Sequence, residues 1–192
     1  LGRHEIRHEH VLANKEPGVV TGLAWTAAGG EILFIETSLS PGKGNLILTG
    51  QLGDVMKESA RIALSLVKHM YPKEAALLED HDLHIHVPAG AVPKDGPSAG
   101  ITLTTALVSL LTGKPGSPEF AMTGEVSLTG RIMPIGGLPE KLMAAERAGL
   151  KTVFIPEENE QDLEEVAKEV KEKLTILPVE KVTDVLERVL QS

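Results

Sequence analysis

The 192-residue sequence contains no cysteine, which excludes disulfide staples, thiolate zinc sites and a cysteine nucleophile; any covalent chemistry must use oxygen or nitrogen. Aromatic residues are scarce, at 3%, too few to build base-stacking platforms. Cations are outnumbered, with a formal net charge of −8 and no basic cluster, so neither a nucleic-acid surface nor nucleic acid as a partner is expected. No apolar run approaches the roughly 18 to 20 residues that span a bilayer, and residues 1–10 are too charged for a secretory signal. A cytoplasmic protein with no membrane partner is the expectation. Repeats, low-complexity tracts and long Pro/Gly/Ser linkers are also missing, so one main domain is expected.

What is present is an ordinary globular composition, 42% hydrophobic, patterned in alternating periods. Residues 19–27 and 31–37 read as strands around Gly29-Gly30, and residues 46–49 as a third. Val55, Ile62, Leu66 and Met70 recur at helical spacing over residues 54–70, which Pro72 closes. Strict alternation over residues 81–87 puts Leu83, Ile85 and Val87 on one strand face, with His84 and His86 together on the other. An apolar helix over residues 98–112, short strands over 119–131, and a helix opened by Pro139 and ended by Gly149 follow. A strand (151–155), a helix (160–173), a strand (174–179) and a last helix (182–190) complete the chain. The acidic stretch 157–172 reads as a solvated helix face. This alternation predicts an α/β (α+β) domain with mixed sheets.

Chemistry concentrates in Pro93-Lys94-Asp95-Gly96-Pro97-Ser98-Ala99-Gly100. This rigid turn delivers a hydroxyl to the start of an apolar helix, where unpaired amides and the helix dipole could stabilise an oxyanion. Pro97 has no NH, so the amides of Ser98 and Gly96 are the candidate donors. Two plainer readings stand beside this one. Ser98 could be a helix N-cap, or the turn could be a phosphate loop, although it lacks the Gly-Lys-Ser/Thr ending.

A second site is Gly136-Gly137-Leu138-Pro139-Glu140-Lys141, which places a lysine in the first turn of a helix, against the dipole. A serine hydrolase without a histidine base needs a neutral lysine, and lowering its pKa from about 10.4 to about 7.5 costs roughly 4 kcal/mol. The dipole supplies about 1 kcal/mol at most, so burial must provide the rest. The plain alternative is a snorkelling surface lysine.

These two segments, with Met122-Thr123-Gly124-Glu125, Gly22-Leu23-Ala24-Trp25-Thr26 and Gly50-Gln51-Leu52-Gly53-Asp54-Val55-Met56-Lys57-Glu58-Ser59-Ala60, resemble the proteolytic domain of Lon proteases. The resemblance covers nearly everything after residue 17, with residues 1–16 expected to be a linker remnant from an upstream module and residues 17–192 the domain. It implies a compact fold like the second domain of ribosomal protein S5, shared with some small-molecule kinases. It implies an ATP-dependent serine endopeptidase acting on unfolded or damaged proteins, with Ser98 as nucleophile and Lys141 as base, in a homo-oligomeric, usually hexameric ring. Thr123 matches a threonine that supports the lysine, Asp95 a loop aspartate tied to switching, and Glu125 a neighbour of the site; His84 and His86 match histidines near the serine. Pro139 and Ala89 depart from residues frequent in the family.

The chain itself is expected to hold no cofactor. ATP and magnesium belong to an AAA+ module expected upstream, because Pro41-Gly42-Lys43-Gly44 has glycine where a P-loop needs Ser/Thr. His4-Glu5-Ile6-Arg7-His8 fits the zinc-protease pattern but has no apolar helix and no third ligand, and it reads as linker. Trp25 reads as packing, with substrate contact as the lesser alternative. Two other classes stay open: a kinase-like nucleotide-binding domain and a catalytically silent scaffold for ring assembly.

Overall fold

Alternating side chains and glycine turns fold most of the apolar surface into one mixed sheet. The computed structural model describes residues 16–26, 29–88 and 94–190, so His4 to His8 and Ala89 lie outside the described residues. The strands are β1 (Val19–Thr26), β2 (Gly29–Pro41), β3 (Leu46–Thr49), β4 (His81–His86), β5 (Phe120–Met122), β6 (Glu125–Val126), β7 (Ile132–Met133), β8 (Thr152–Pro156) and β9 (Thr175–Val179). The helices are α1 (Asp54–Met70), α2 (Pro72–Ala75), α3 (Gly100–Thr112), α4 (Leu138–Arg147), α5 (Lys168–Lys173) and α6 (Val182–Val189), with 3₁₀ turns at Ala76–Glu79 and Glu157–Glu165.

The main sheet runs β3-β4-β2-β1-β5-β8-β9, and β6 and β7 form a separate hairpin ladder. β2 pairs antiparallel with both β1 and β4, while the β3–β4, β1–β5, β5–β8 and β8–β9 pairs are parallel. The expected α/β class with mixed sheets is therefore what forms. Strand alternation divides the core in two. Leu33 and Ile35 of β2 face one cluster with Leu83, Ile85, Leu66 and Leu107, under α1, α3 and α6. Ile32 and Phe34 face the other, with Leu23, Leu138, Leu142 and Val153, under α4 and α5. The sheet thus has helices on both faces, and the two halves of the chain's chemistry hang from different cores.

Several element boundaries differ from the sequence reading. β2 runs longer than expected, through Pro41, because it is laddered on both sides. The helix expected at Ser98 starts at Gly100, and the one expected to open on Pro139 starts at Leu138, with Pro139 second. The helix expected over residues 160–173 is instead a 3₁₀ segment followed by the short α5. Between them Val166 and Ala167 are extended, which drops Val166 into the second core, 5% exposed. Tertiary burial of one valine outweighs the helical propensity of an acidic run that repels itself.

Among the described residues no helix is long and apolar enough to cross a membrane. The turn at Gly42 to Asn45 is closed around a carboxylate already present: the amides of Lys43 and Asn45 both donate to Asp82 Oδ1, at 3.1 and 2.9 Å. Amides that a phosphate would need are spent there.

Candidate active site

The serine turn is anchored by backbone ladders to the segment that precedes α1. Lys94 N donates to Gln51 O at 3.0 Å, Gly53 N to Lys94 O at 2.7 Å, and Lys94 Nζ to Gly50 O at 2.9 Å. Gln51 takes a left-handed conformation (φ 57) to present its carbonyl, a strained position for a non-glycine residue. The carboxylate of Asp95 then accepts the Met56 amide at 2.9 Å, in the first turn of α1. Gly53, the N-cap of α1, has no side chain to cap with, and a Cβ there would collide with the Asp95 carboxyl group. Asp95 therefore caps α1 from a distant part of the chain. The Met56, Gly96 and Val55 amides hold its pKa below the usual carboxylate value.

That arrangement surrounds the expected oxyanion donors, the amides of Ser98 and Gly96. The Gly96 amide helps to lower the Asp95 pKa, and the Ser98 amide has no protein acceptor among the described residues. Ser98 is also no helix cap. It lies two residues before α3, whose N-cap is Ala99 with no side-chain cap bond, so the N-cap reading falls. Ser98 lines the cavity, and its hydroxyl has no hydrogen-bond partner among the described residues.

Lys141 is the fourth residue of α4, and its amide makes the helical bond to Gly137 O at 3.0 Å. The helix start rests directly on the sheet because Gly30 of β2 has no Cβ to meet the Glu140 carbonyl. Pressed in this way, Lys141 is only 2% exposed and ranks among the largest fully buried side chains, which rules out the snorkelling alternative. Burial lowers its pKa from 10.5 to about 8, in line with the expectation that desolvation must do most of the work. Its side-chain nitrogen donates to Thr123 Oγ1 at 3.2 Å.

Residues 123 and 124 connect the two sites. Thr123, 1% exposed, receives the Lys141 nitrogen through its side chain while its amide donates to Phe154 O at 3.1 Å. The next amide, Gly124 N, donates to Ser98 O at 2.8 Å, and Gly124 O accepts from Ile101 N at 2.9 Å. One dipeptide beyond the end of β5 thus grips the lysine side chain with one residue and the serine main chain with the next. Ser98 and Lys141 open onto the same cavity of about 590 Å³.

The chain belongs to the Lon protease family. Its whole length, residues 1–192, matches the Lon protease (S16) C-terminal proteolytic domain. It is 58% identical over 190 residues to the Lon protease of Clostridium beijerinckii, covering 99% of this chain and 24% of that protein. Similar matches are the Lon protease of Methanosarcina barkeri, 54% over 192 residues (99% and 24%), and Lon protease 1 of Bacillus subtilis, 53% over 193 residues (99% and 25%). The chain spans about a quarter of the length of the curated relatives it matches.

Other residues of this Lon domain fall differently from expectation. Trp25 is not core packing: it is 59% exposed and lies at the cavity, its ring against Gly137, where a Cβ would strike the indole. His84 and His86 do not line the cavity. Both rings bond Thr49 Oγ1, at 2.9 Å from Nε2 and 2.6 Å from Nδ1, and they tie β3 to β4. Glu125 sits in the β6–β7 hairpin, opposite Met133, and also does not line the cavity. Among the described residues no group of three or more metal-binding side chains comes together. Sequence reasoning missed Asn159, 3% exposed inside the acidic stretch; an asparagine among carboxylates, one of two uncharged polar residues in that run with Gln161, was the available signal.

Proposed function

We propose that the chain is a serine endopeptidase domain in which Ser98 is the nucleophile and Lys141 its general base. The observation that carries this reading is the lysine itself: a buried amine with a pKa near 8, opening on the cavity that a serine hydroxyl also lines. At pH 7 roughly one lysine in ten is then neutral, against fewer than about one in a thousand for an ordinary side chain.

Neutral Lys141 takes the Ser98 proton as Oγ attacks the peptide carbonyl carbon. The resulting ammonium returns that proton to the departing amine nitrogen, leaving an acyl ester on Ser98. Water then attacks the ester, Lys141 accepts its proton, and the proton passes back to Oγ as the carboxylic product leaves. Thr123 Oγ1, by accepting one N–H, aims the remaining lone pair. The amides of Ser98 and Gly96 are the candidate donors to the oxyanion. Asp95 fits a role in setting the loop, and not in proton transfer, because its carboxylate is engaged with α1.

The relatives are named proteases, and family membership favours a protease over the kinase-like alternative. By the same membership we infer unfolded or damaged proteins as substrates, a hexameric ring, a cytoplasmic setting, and ATP and magnesium bound by an AAA+ module outside this chain. In the intact protein that carries this chain, Ser98→Ala is expected to abolish cleavage of a fluorogenic peptide and covalent capture of a peptide boronate. Cleavage surviving in that variant would reject the assignment.

A further inference from the structure

The 3₁₀ segment Glu157–Glu165 has one buried residue, Asn159. Its carboxamide makes both bonds that a neighbouring strand would make to Ile135. Ile135 N donates to Oδ1 at 2.9 Å, and Nδ2 donates to Ile135 O at 2.8 Å. Nδ2 also donates to Asp162 Oδ2 at 2.7 Å, which orients the amide and settles which end is oxygen. Ile135, with Pro134 and Gly136, forms one wall of the cavity that holds Ser98 and Lys141. We propose that Asn159 is a positioning residue for substrate binding, fixing that wall through Ile135. The inference rests on the endopeptidase reading and goes beyond it.

Two observations separate a wall role from a role through Lys141. The neighbouring Arg131–Glu158 pair, 2.6 Å, joins the same two segments but is half exposed or more at both ends and holds them weakly. Among the described residues the clamp supplies the hydrogen bonds that hold residues 134–136, beside the packing of Ile135 on the second core. The base, by contrast, has its own anchor: Leu138, three residues after Ile135, is 1% exposed in the second core. Loss of the clamp should let the wall move while α4 and its amine stay in place.

The test compares N159D and D162N in the intact protein that carries this chain. N159D is nearly isosteric, and the carboxylate it introduces still accepts from Ile135 N but has no donor for Ile135 O and meets the Asp162 carboxylate where Nδ2 donated, so the Ile135 carbonyl is left unpaired and that corner of the clamp is repelled. D162N keeps both Ile135 bonds. N159D should raise KM for a fluorogenic peptide about tenfold, the scale of one buried carbonyl losing its donor, with kcat within about threefold and the midpoint of the pH–rate curve unmoved. D162N should behave nearly as wild type. An unchanged KM in folded N159D, or a KM effect accompanied by a shifted pH midpoint, overturns the wall role. Amide hydrogen exchange in the wild type gives a reading that needs no variant: a fast-exchanging Ile135 amide overturns the clamp. A wild type that cleaves no peptide and captures no boronate would sink the hydrolase reading and this inference with it; a failed clamp beside a working Ser98 would sink the inference alone.

Discussion

At the scale of single residues, Lys141 works against the stability of the fold it serves. A pKa lowered from 10.5 to about 8 means the folded protein binds a proton less tightly than the unfolded chain, a difference worth about 3 kcal/mol. The sign follows from linkage: the penalty is fully present below about pH 8, shrinks as pH rises, and is gone above about 10.5, so this residue makes stability rise with pH across that window. Lys141→Met removes the charge and leaves the Thr123 hydroxyl unpaired, which returns about 1 kcal/mol. The variant should be more stable than wild type by about 2 kcal/mol at pH 7, with the gain fading toward pH 10.5, and should have no peptidase activity. Denaturant titrations at about pH 7 and about pH 10 measure this, and a variant destabilised at the lower pH would contradict it. In the wild type, kcat/KM should climb with pH through about 8 and level above it.

At the scale of elements, the serine turn and α1 form a single unit although they lie far apart in the chain. Gly53 has an ordinary extended backbone (φ −76, ψ 172), so alanine is excluded there by the Asp95 carboxyl group alone. Gly53→Ala should push Asp95 off the α1 amides and move the turn that carries Ser98, cutting kcat by at least about tenfold, on the scale of a roughly 1 Å misplacement. The Lys141 hydrogen bond, in a different core, should survive. Activity kept within about twofold in a folded G53A would show that the cap does not set the turn. Here the limits of the sequence are physical. The periodicity of residues 54–70 marked α1 to the residue, and His81 to Val87 gave its two faces correctly, because local pattern and burial agree there. Asp95 capping α1, Trp25 standing at the cavity and Asn159 replacing a strand are long-range pairings that no local period encodes. Ser98 and Lys141 were legible as Gly/Pro-flanked oddities and the resemblance already pointed Thr123 at the lysine, but the bond from Gly124 N to Ser98 O required the fold.

At the scale of the whole molecule, the helix that follows Ser98 and the helix that carries Lys141 pack on opposite faces of the sheet, while the two residues themselves line one cavity. α3, which follows Ser98, packs in the first core with Leu107 fully buried, and α4, which carries Lys141, packs in the second with Leu142 fully buried. Each core can therefore be loosened alone. Leu107→Ala and Leu142→Ala should each cost about 2 to 5 kcal/mol of stability, as cavities of similar chemistry do. Their effects on catalysis should differ. L142A opens space beside the lysine's own helix and lets water reach an amine whose low pKa comes from desolvation, so the midpoint of the pH–rate curve should move up from about 8 toward the ordinary 10.5. L107A lies across the sheet and should leave that midpoint in place while lowering the rate at every pH as the serine turn loses support. Both curves are to be measured at a temperature where the two variants are folded. Equal midpoints in the two variants would mean that the sheet does not insulate Lys141 from changes in the first core, and that the lysine's environment belongs to the molecule as a whole instead of to the second core.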